Sequence, residues 1–158
     1  MNNPIDSTGI FDSRDLIEYK TFLESELLDA YTNWAEDVNE YKDEDTEDVL
    51  IPDTLDEADF IDDEAFTMGN EELIEELNEI KQFCEELEDY GDFEHGEAII
   101  SEDYFEEYCE EYLKDCEYLP DNLPALIENN IDFKGIADDM KQDYTEAEYY
   151  GTTYLMRY

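Results

Sequence analysis

Positive charge is nearly missing from this chain: eight Lys and Arg stand against 50 Asp and Glu in 158 residues, and His95 is the only histidine. The formal net charge is -42 at pH 7. A surface so poor in cations excludes direct binding to DNA, RNA or an anionic membrane, whose fields it repels. No apolar run approaches the roughly 18 residues that a transmembrane helix needs. The opening residues, MNNPIDSTGI, lack the basic and apolar regions of a signal peptide, so the expected location is cytoplasmic. Cysteine is sparse as well. Cys84, Cys109 and Cys116 are odd in number and form no CxxC pair, which fits reduced, small apolar residues better than a disulfide framework.

The motifs of catalysis are also wanting. There is no G-x-x-x-x-G-K phosphate loop, no G-x-S-x-G elbow, no Rossmann glycine pattern and no HExxH pair. His95, between glycines, reads as a turn residue. Asp43, Asp45 and Glu47 open like an EF-hand loop, but Asp48 stands where the glycine belongs and Thr54 where the closing Glu belongs. The expectation is therefore no enzyme activity, no cofactor and no built metal site, with divalent cations condensing only diffusely around the acids.

What the chain does have is enough apolar material to fold. Hydrophobic residues make up 41% of it, including thirteen Tyr and eight Phe, and they recur at helical spacing rather than lying scattered. That argues against the disorder that high net charge otherwise brings. A folded body with this charge presents a field like that of nucleic acid: at one charge per roughly 1.7 Å of duplex axis, it matches about 20 base pairs of DNA. The function class this suggests is a DNA-mimicking inhibitor, attracted to a basic nucleic-acid cleft. The alternative is an acidic chaperone or sequestering module for a basic protein.

Three regions follow from the pattern. In residues 1–50, Asp12 or Ser13 caps a helix whose stripe is Leu16, Lys20, Leu23, Leu27, Ala30 or Tyr31, Trp34, Val38 and Tyr41, with Asp15 in its first turn. An acidic linker follows: from Glu36 to Glu64 fifteen acids accompany only Lys42, and Pro52 blocks helix continuation. Val49, Leu50, Ile51, Leu55, Phe60, Ile61 and Phe66 can return parts of it to a core. Residues 51–119 form a helical middle region. One helix runs from Glu71 to Glu88, capped by Asn70, with the seam Leu73, Leu77, Ile80, Cys84 and Leu87. After a break at Gly91 and Gly96 and an extended piece at Ile99 and Ile100, another helix starts at Ser101 and buries Phe105, Tyr108, Cys109, Tyr112, Leu113 and Cys116. Residues 120–158 hold a short helix punctuated by Pro120 and Pro124 and containing Leu123, Leu126 and Ile127, then Ile131, Phe133 and Ile136 around Gly135, and an alternating strand, TTYLMRY, expected to pair near Glu97 to Ile100. The fold class is α+β and helix-rich, an elongated acidic protein with amphipathic helices and a small carboxy-terminal sheet.

Acids three or four positions apart on a helix lie roughly 5 to 6 Å apart at Cβ, near the scale of successive phosphates. Glu75, Glu79, Glu86, Glu106, Glu107, Glu110 and Glu111 are the candidate DNA-mimic surface. Acid density falls in the last region, so Leu123, Leu126, Ile127, Ile131, Phe133, Tyr154 and Tyr158 are the candidate contact of a homodimer.

The segment PDNLPALIENNIDFKGIADDM, followed by GTTYLMRY, resembles the carboxy-terminal domain of ArdA-type antirestriction proteins, chiefly at Pro124, Leu126, Ile131, Asp132, Phe133, Asp138 and Gly151 to Tyr158. With the middle helices, the resemblance extends over about Leu50 to Tyr158. The helical first fifty residues depart from that family's more sheet-containing beginning. The resemblance implies a dimeric mimic of bent DNA that occupies the channel of Type I restriction-modification enzymes, evading host defence on behalf of a phage or mobile element.

Overall fold

A computed structural model of the chain describes residues 1–6, 9–51, 64–120 and 122–158. The elements are β1 (Ile10–Asp12), α1 (Ser13–Tyr41), α2 (Glu64–Leu87), β2 (Ala98–Ser101), α3 (Phe105–Asp115), α4 (Ala125–Glu128), α5 (Phe133–Met140), β3 (Tyr144–Tyr149) and β4 (Thr152–Arg157). The helix-rich α+β class holds. The strands form one antiparallel sheet in the order β1-β2-β4-β3. As expected, the last strand pairs with the piece near Ile100: Leu155 lies opposite it in the register. The sheet is not confined to the carboxy terminus, because β1 brings the amino-terminal residues Ile10, Phe11 and Asp12 to its edge.

Helix α1 starts where its sequence says it should. Asp12 is the N-cap, its carboxylate accepting from the Arg14 N–H at 2.9 Å and pairing with the Arg14 guanidinium at 2.7 Å. That guanidinium holds the Asp12 carboxyl below its usual range. Next to it Ser13 is fully buried. Its hydroxyl donates to the Phe93 carbonyl at 2.6 Å and accepts from the Glu97 N–H at 2.8 Å, so the start of α1 is stitched to the 3-10 turn at Phe93–His95. His95 lies in that turn, exposed, 2.9 Å from Asp92.

The buried stripe of α1 is Leu16, Tyr19, Leu23, Leu27, Tyr31 and Ala35. Trp34 and Ala30 pack partly against the core, whereas Tyr41 is exposed and Lys20 is half-buried. The helix ends at Tyr41 rather than running on towards Pro52: Lys42 is extended, Asp43 to Thr46 make a turn, and Asn39 receives the returning chain. Its side-chain amide accepts from the Val49 N–H at 2.7 Å and donates to the Val49 carbonyl at 3.0 Å. Val49 therefore rejoins the core, while Leu50 and Ile51 remain exposed. Leu55, Phe60, Ile61, Pro52 and Thr54 lie outside the described residues.

Helix α2 begins at Glu64, a turn and more before the expected start, and breaks at Asn70, whose φ of -131° and ψ of 20° are not helical. Phe66 explains the early start. It is buried against Tyr31 and Trp34 of α1, with ring centroids 5.1 and 5.7 Å away. Asn70 donates its side-chain N–H to the Phe66 carbonyl at 3.0 Å across the break. Beyond it the seam is Ile74, Leu77, Ile80, Phe83, Cys84 and Leu87, so Leu73 gives way to Ile74 and Phe83 joins.

Period-two alternation in the strands sorts two cores to the two faces of the sheet. Phe11, Ile99, Ala147, Tyr149, Tyr154 and Met156 face the antiparallel α1–α2 pair and share a core with it. Ile100 and Leu155 face the other way, onto Phe105 and Cys109 of α3 and Ala137 of α5. The α3 face is narrower than its spacing predicts: Phe105 and Cys109 are buried, Tyr108, Tyr112 and Leu113 are half-buried, and Cys116 is exposed just past the helix end. All three cysteines are free, and burial pushes the Cys84 and Cys109 thiols up to about 11. No helix among the described residues is long and apolar enough to cross a membrane.

Candidate binding surface

Every Asp and Glu whose side-chain exposure is described is exposed or half-buried. The reason is physical: an unpaired carboxylate leaves water only at a cost of several kcal/mol, and eight cations cannot pair 50 acids. The acids therefore ride on the outer faces of the same helices that carry the cores. Helix α1 has 29 residues and α2 has 24. At about 1.5 Å per residue α1 is a rod of roughly 43 Å, the length of about a dozen base pairs, and the unbroken part of α2 beyond Asn70, residues 71–87, is one of roughly 26 Å, about eight base pairs. Exposed Asp15, Glu18, Glu26, Asp29, Glu36, Asp37 and Glu40 line α1.

Among the described residues, five Lys and Arg side chains engage acids directly. Besides Arg14 with Asp12, Lys42 pairs with Asp48, Lys81 with Glu24 at 3.5 Å, and Lys141 with Glu102 at 2.6 Å. Lys114 pairs with Glu110 at 2.6 Å and lies 3.8 Å from Glu128, tying α3 to α4. The local neutralisation is small against the whole.

The seven carboxylates expected to form one surface fall into two groups. Glu75, Glu79 and Glu86 belong to α2, over one face of the sheet; Glu106, Glu107, Glu110 and Glu111 belong to α3, over the other. Helical periodicity fixes which side of a helix is polar but not which side of the sheet the helix covers. Their local surroundings differ too. Glu75, Glu106 and Glu107 are exposed, while Glu79 is half-buried. Glu86 is half-buried and structural: it accepts from the Glu148 N–H at 3.1 Å, covering part of the outer edge of β3, and from the Gln82 side chain at 3.2 Å. Glu110 is neutralised by Lys114, and Glu111 accepts from the Tyr104 hydroxyl at 3.2 Å.

The apolar candidates divide as well. Tyr154 is withdrawn from the surface: it is 7% exposed, sits on the inner strand β4, and packs against Phe83 and Phe11 at 5.5 and 5.7 Å. Alternation had placed it on a strand without showing that α2 covers the face it points to. Leu123, Ile131 and Phe133 are half-buried. Leu126 at 79% and Ile127 at 52% are exposed on α4, and Tyr158 is exposed at the chain end.

A feature that sequence reasoning passed over lies between α2 and the β3–β4 turn. Asn3, Glu72, Glu75, Glu76, Tyr149 and Tyr150 line an open cleft of about 350 Å³. Glu76 accepts from the Tyr19 hydroxyl at 2.6 Å and from Asn3 at 3.2 Å, and Asn3 also donates to the Tyr149 hydroxyl at 3.0 Å, so the floor is cross-linked. The Tyr149 and Tyr150 rings meet edge to face at 4.7 Å. Burial first, and then Glu75, Glu79 and Glu76, push the Tyr150 phenol up, so it stays neutral. The YYG triplet at the hairpin was the available signal, since the turn puts Tyr150 at φ 45° and Gly151 at φ 77°.

Among the described residues, no group of three or more His, Cys, Asp and Glu could hold a metal ion. No protein-family model, curated protein or solved structure matches the chain.

Proposed function

We propose that this protein is a DNA mimic: an inhibitor that occupies the DNA-binding channel of a restriction-modification enzyme, of Type I, in the host cytoplasm, without chemistry or cofactor of its own. The observation that carries the reading is a charge of -42 on a folded chain in which no carboxylate of described exposure is buried. Helix α1, about 43 Å long, and the unbroken part of α2, about 26 Å long, give these charges fixed positions on the scale of about one turn of duplex. A cleft built to neutralise phosphates attracts such a body from a distance. The choice of a Type I enzyme rests on the resemblance of the carboxy-terminal segment to ArdA-type proteins. Added to a purified Type I enzyme, the protein is expected to inhibit it stoichiometrically and to leave its covalent structure unchanged. Apparent affinity should fall as salt rises, because separated charge pairs are screened beyond about 8 Å at physiological ionic strength. Turnover-dependent inactivation, or cleavage of an enzyme subunit, would refute the mechanism.

The active form is proposed to be a homodimer. Like charge opposes association, so the contact must be apolar and poor in acids, which selects Leu126 and Ile127 with the half-buried Leu123, Ile131 and Phe133 around them. Sedimentation equilibrium at physiological ionic strength is expected to give twice the 18.7 kDa chain mass. A monomer at high protein concentration that still inhibits fully would eliminate the dimer.

A further inference from the structure

We propose that the cleft between α2 and the β3–β4 turn receives one guanidinium group, the side chain of an arginine on the basic partner, and so forms an anchor within an otherwise diffuse acidic surface. The proposal rests on the reading that the partner carries a phosphate-binding face, where arginine is a common residue. Acids alone do not distinguish this place, because they cover the molecule. What distinguishes it is an aromatic wall beside them: Tyr149 and Tyr150, edge to face at 4.7 Å, in a cleft of about 350 Å³ that also holds Glu72, Glu75 and Glu76.

Each part suits that ligand. A guanidinium is planar and weakly hydrated, stacks on a tyrosine ring, and forks to a carboxylate through paired N–H groups. Tyr149 is buried and fixed through Asn3, whereas Tyr150 is 55% exposed and offers ring surface that a ligand can reach. Glu72 and Glu75 are exposed at the rim. Glu76 is already engaged by Tyr19 and Asn3, which holds the floor still. A lysine ammonium supplies the same charge but neither the plane nor the fork, and it is more strongly hydrated. The cleft therefore selects arginine over lysine, which a bare field cannot do.

The placement of Tyr150 supplies an unusually clean variant. With φ 45° at Tyr150 and 77° at Gly151, the β3–β4 turn has the positive-φ pair for which Asn-Gly is the favoured sequence. Tyr150→Asn removes the ring while improving the turn, so loss of binding cannot be blamed on loss of fold.

The test is an NMR titration of the full chain at physiological salt with two singly charged probes, N-acetyl-arginine methylamide and N-acetyl-lysine methylamide. The arginine probe is expected to shift the Tyr149 and Tyr150 ring signals and the Asn3 side-chain signal saturably, about three to five times more tightly than the lysine probe. Tyr150→Asn should abolish the saturable response with its melting temperature unchanged or raised. Equal responses to both probes, shifts spread evenly over α1, α2 and α3, or undiminished binding by Tyr150→Asn would overturn the anchor. Those results would leave DNA competition by the wild-type protein intact. Saturable arginine binding by a protein that never competes with DNA would support the cleft and defeat the mimic instead.

Discussion

Changing Glu75, Glu79, Glu86, Glu106, Glu107, Glu110 and Glu111 together to Gln is expected to weaken inhibition by about two orders of magnitude, whereas Glu75→Gln alone should change it less than about threefold, since an exposed charge pair is worth roughly 0.2–1 kcal/mol. Gln retains an oxygen to accept the Glu148 N–H at position 86, so β3 keeps its edge contact. The structure adds a sharper form of the experiment. Because the α2 trio and the α3 quartet lie over opposite faces of the sheet, replacing each set separately shows which face enters the enzyme. Equal, additive losses mean that the channel wraps both. Inhibition constants measured beside circular dichroism decide the matter, and a single substitution that abolished inhibition with an unchanged spectrum would contradict a distributed surface.

Phe83→Ala is expected to cost about 3–5 kcal/mol of stability. The Phe83 side chain is fully buried where α2 meets the sheet, with Phe11, Tyr149 and Tyr154 around it at 6.5, 5.7 and 5.5 Å. Domains have a margin of only about 5–15 kcal/mol, and here the self-repulsion of the acids already works against compaction. The variant should therefore be partly unfolded at low salt and recover as salt screens the charges. Urea denaturation at low and high ionic strength measures this. Wild-type stability for Phe83→Ala at low salt would show that the core is not centred on this residue.

Much of this architecture was legible because a carboxylate must stay wet and a leucine must not. The rule wrote the stripe of α1 at Leu16, Leu23 and Leu27, the seam of α2 at Leu77, Ile80 and Leu87, and the N-cap at Asp12. The pairing of Ile100 with the last strand was also readable from β-branched and aromatic alternation. Three-residue β1 was not, since Ile10–Asp12 is too short for a period and becomes a strand only through β2. Phe83 lay beside the expected seam and was recruited by the sheet, a contact at long range that no local window contains. The same gap separates the charge from its arrangement. Composition revealed the field, but only packing put α2 and α3 on opposite faces, buried Tyr154, assigned Glu86 to the β3 edge and gathered Asn3, Glu76 and Tyr150 into one cleft.

The central claim is that the protein and DNA compete for one channel. Its direct measurement is a titration of enzyme-bound protein with an unlabelled duplex carrying the enzyme's recognition sequence, at fixed salt, followed by fluorescence anisotropy of the labelled protein. The account predicts complete displacement, with the apparent inhibition constant rising in proportion to DNA concentration. A ternary complex of enzyme, protein and duplex, or inhibition that saturating DNA leaves unchanged, would contradict it.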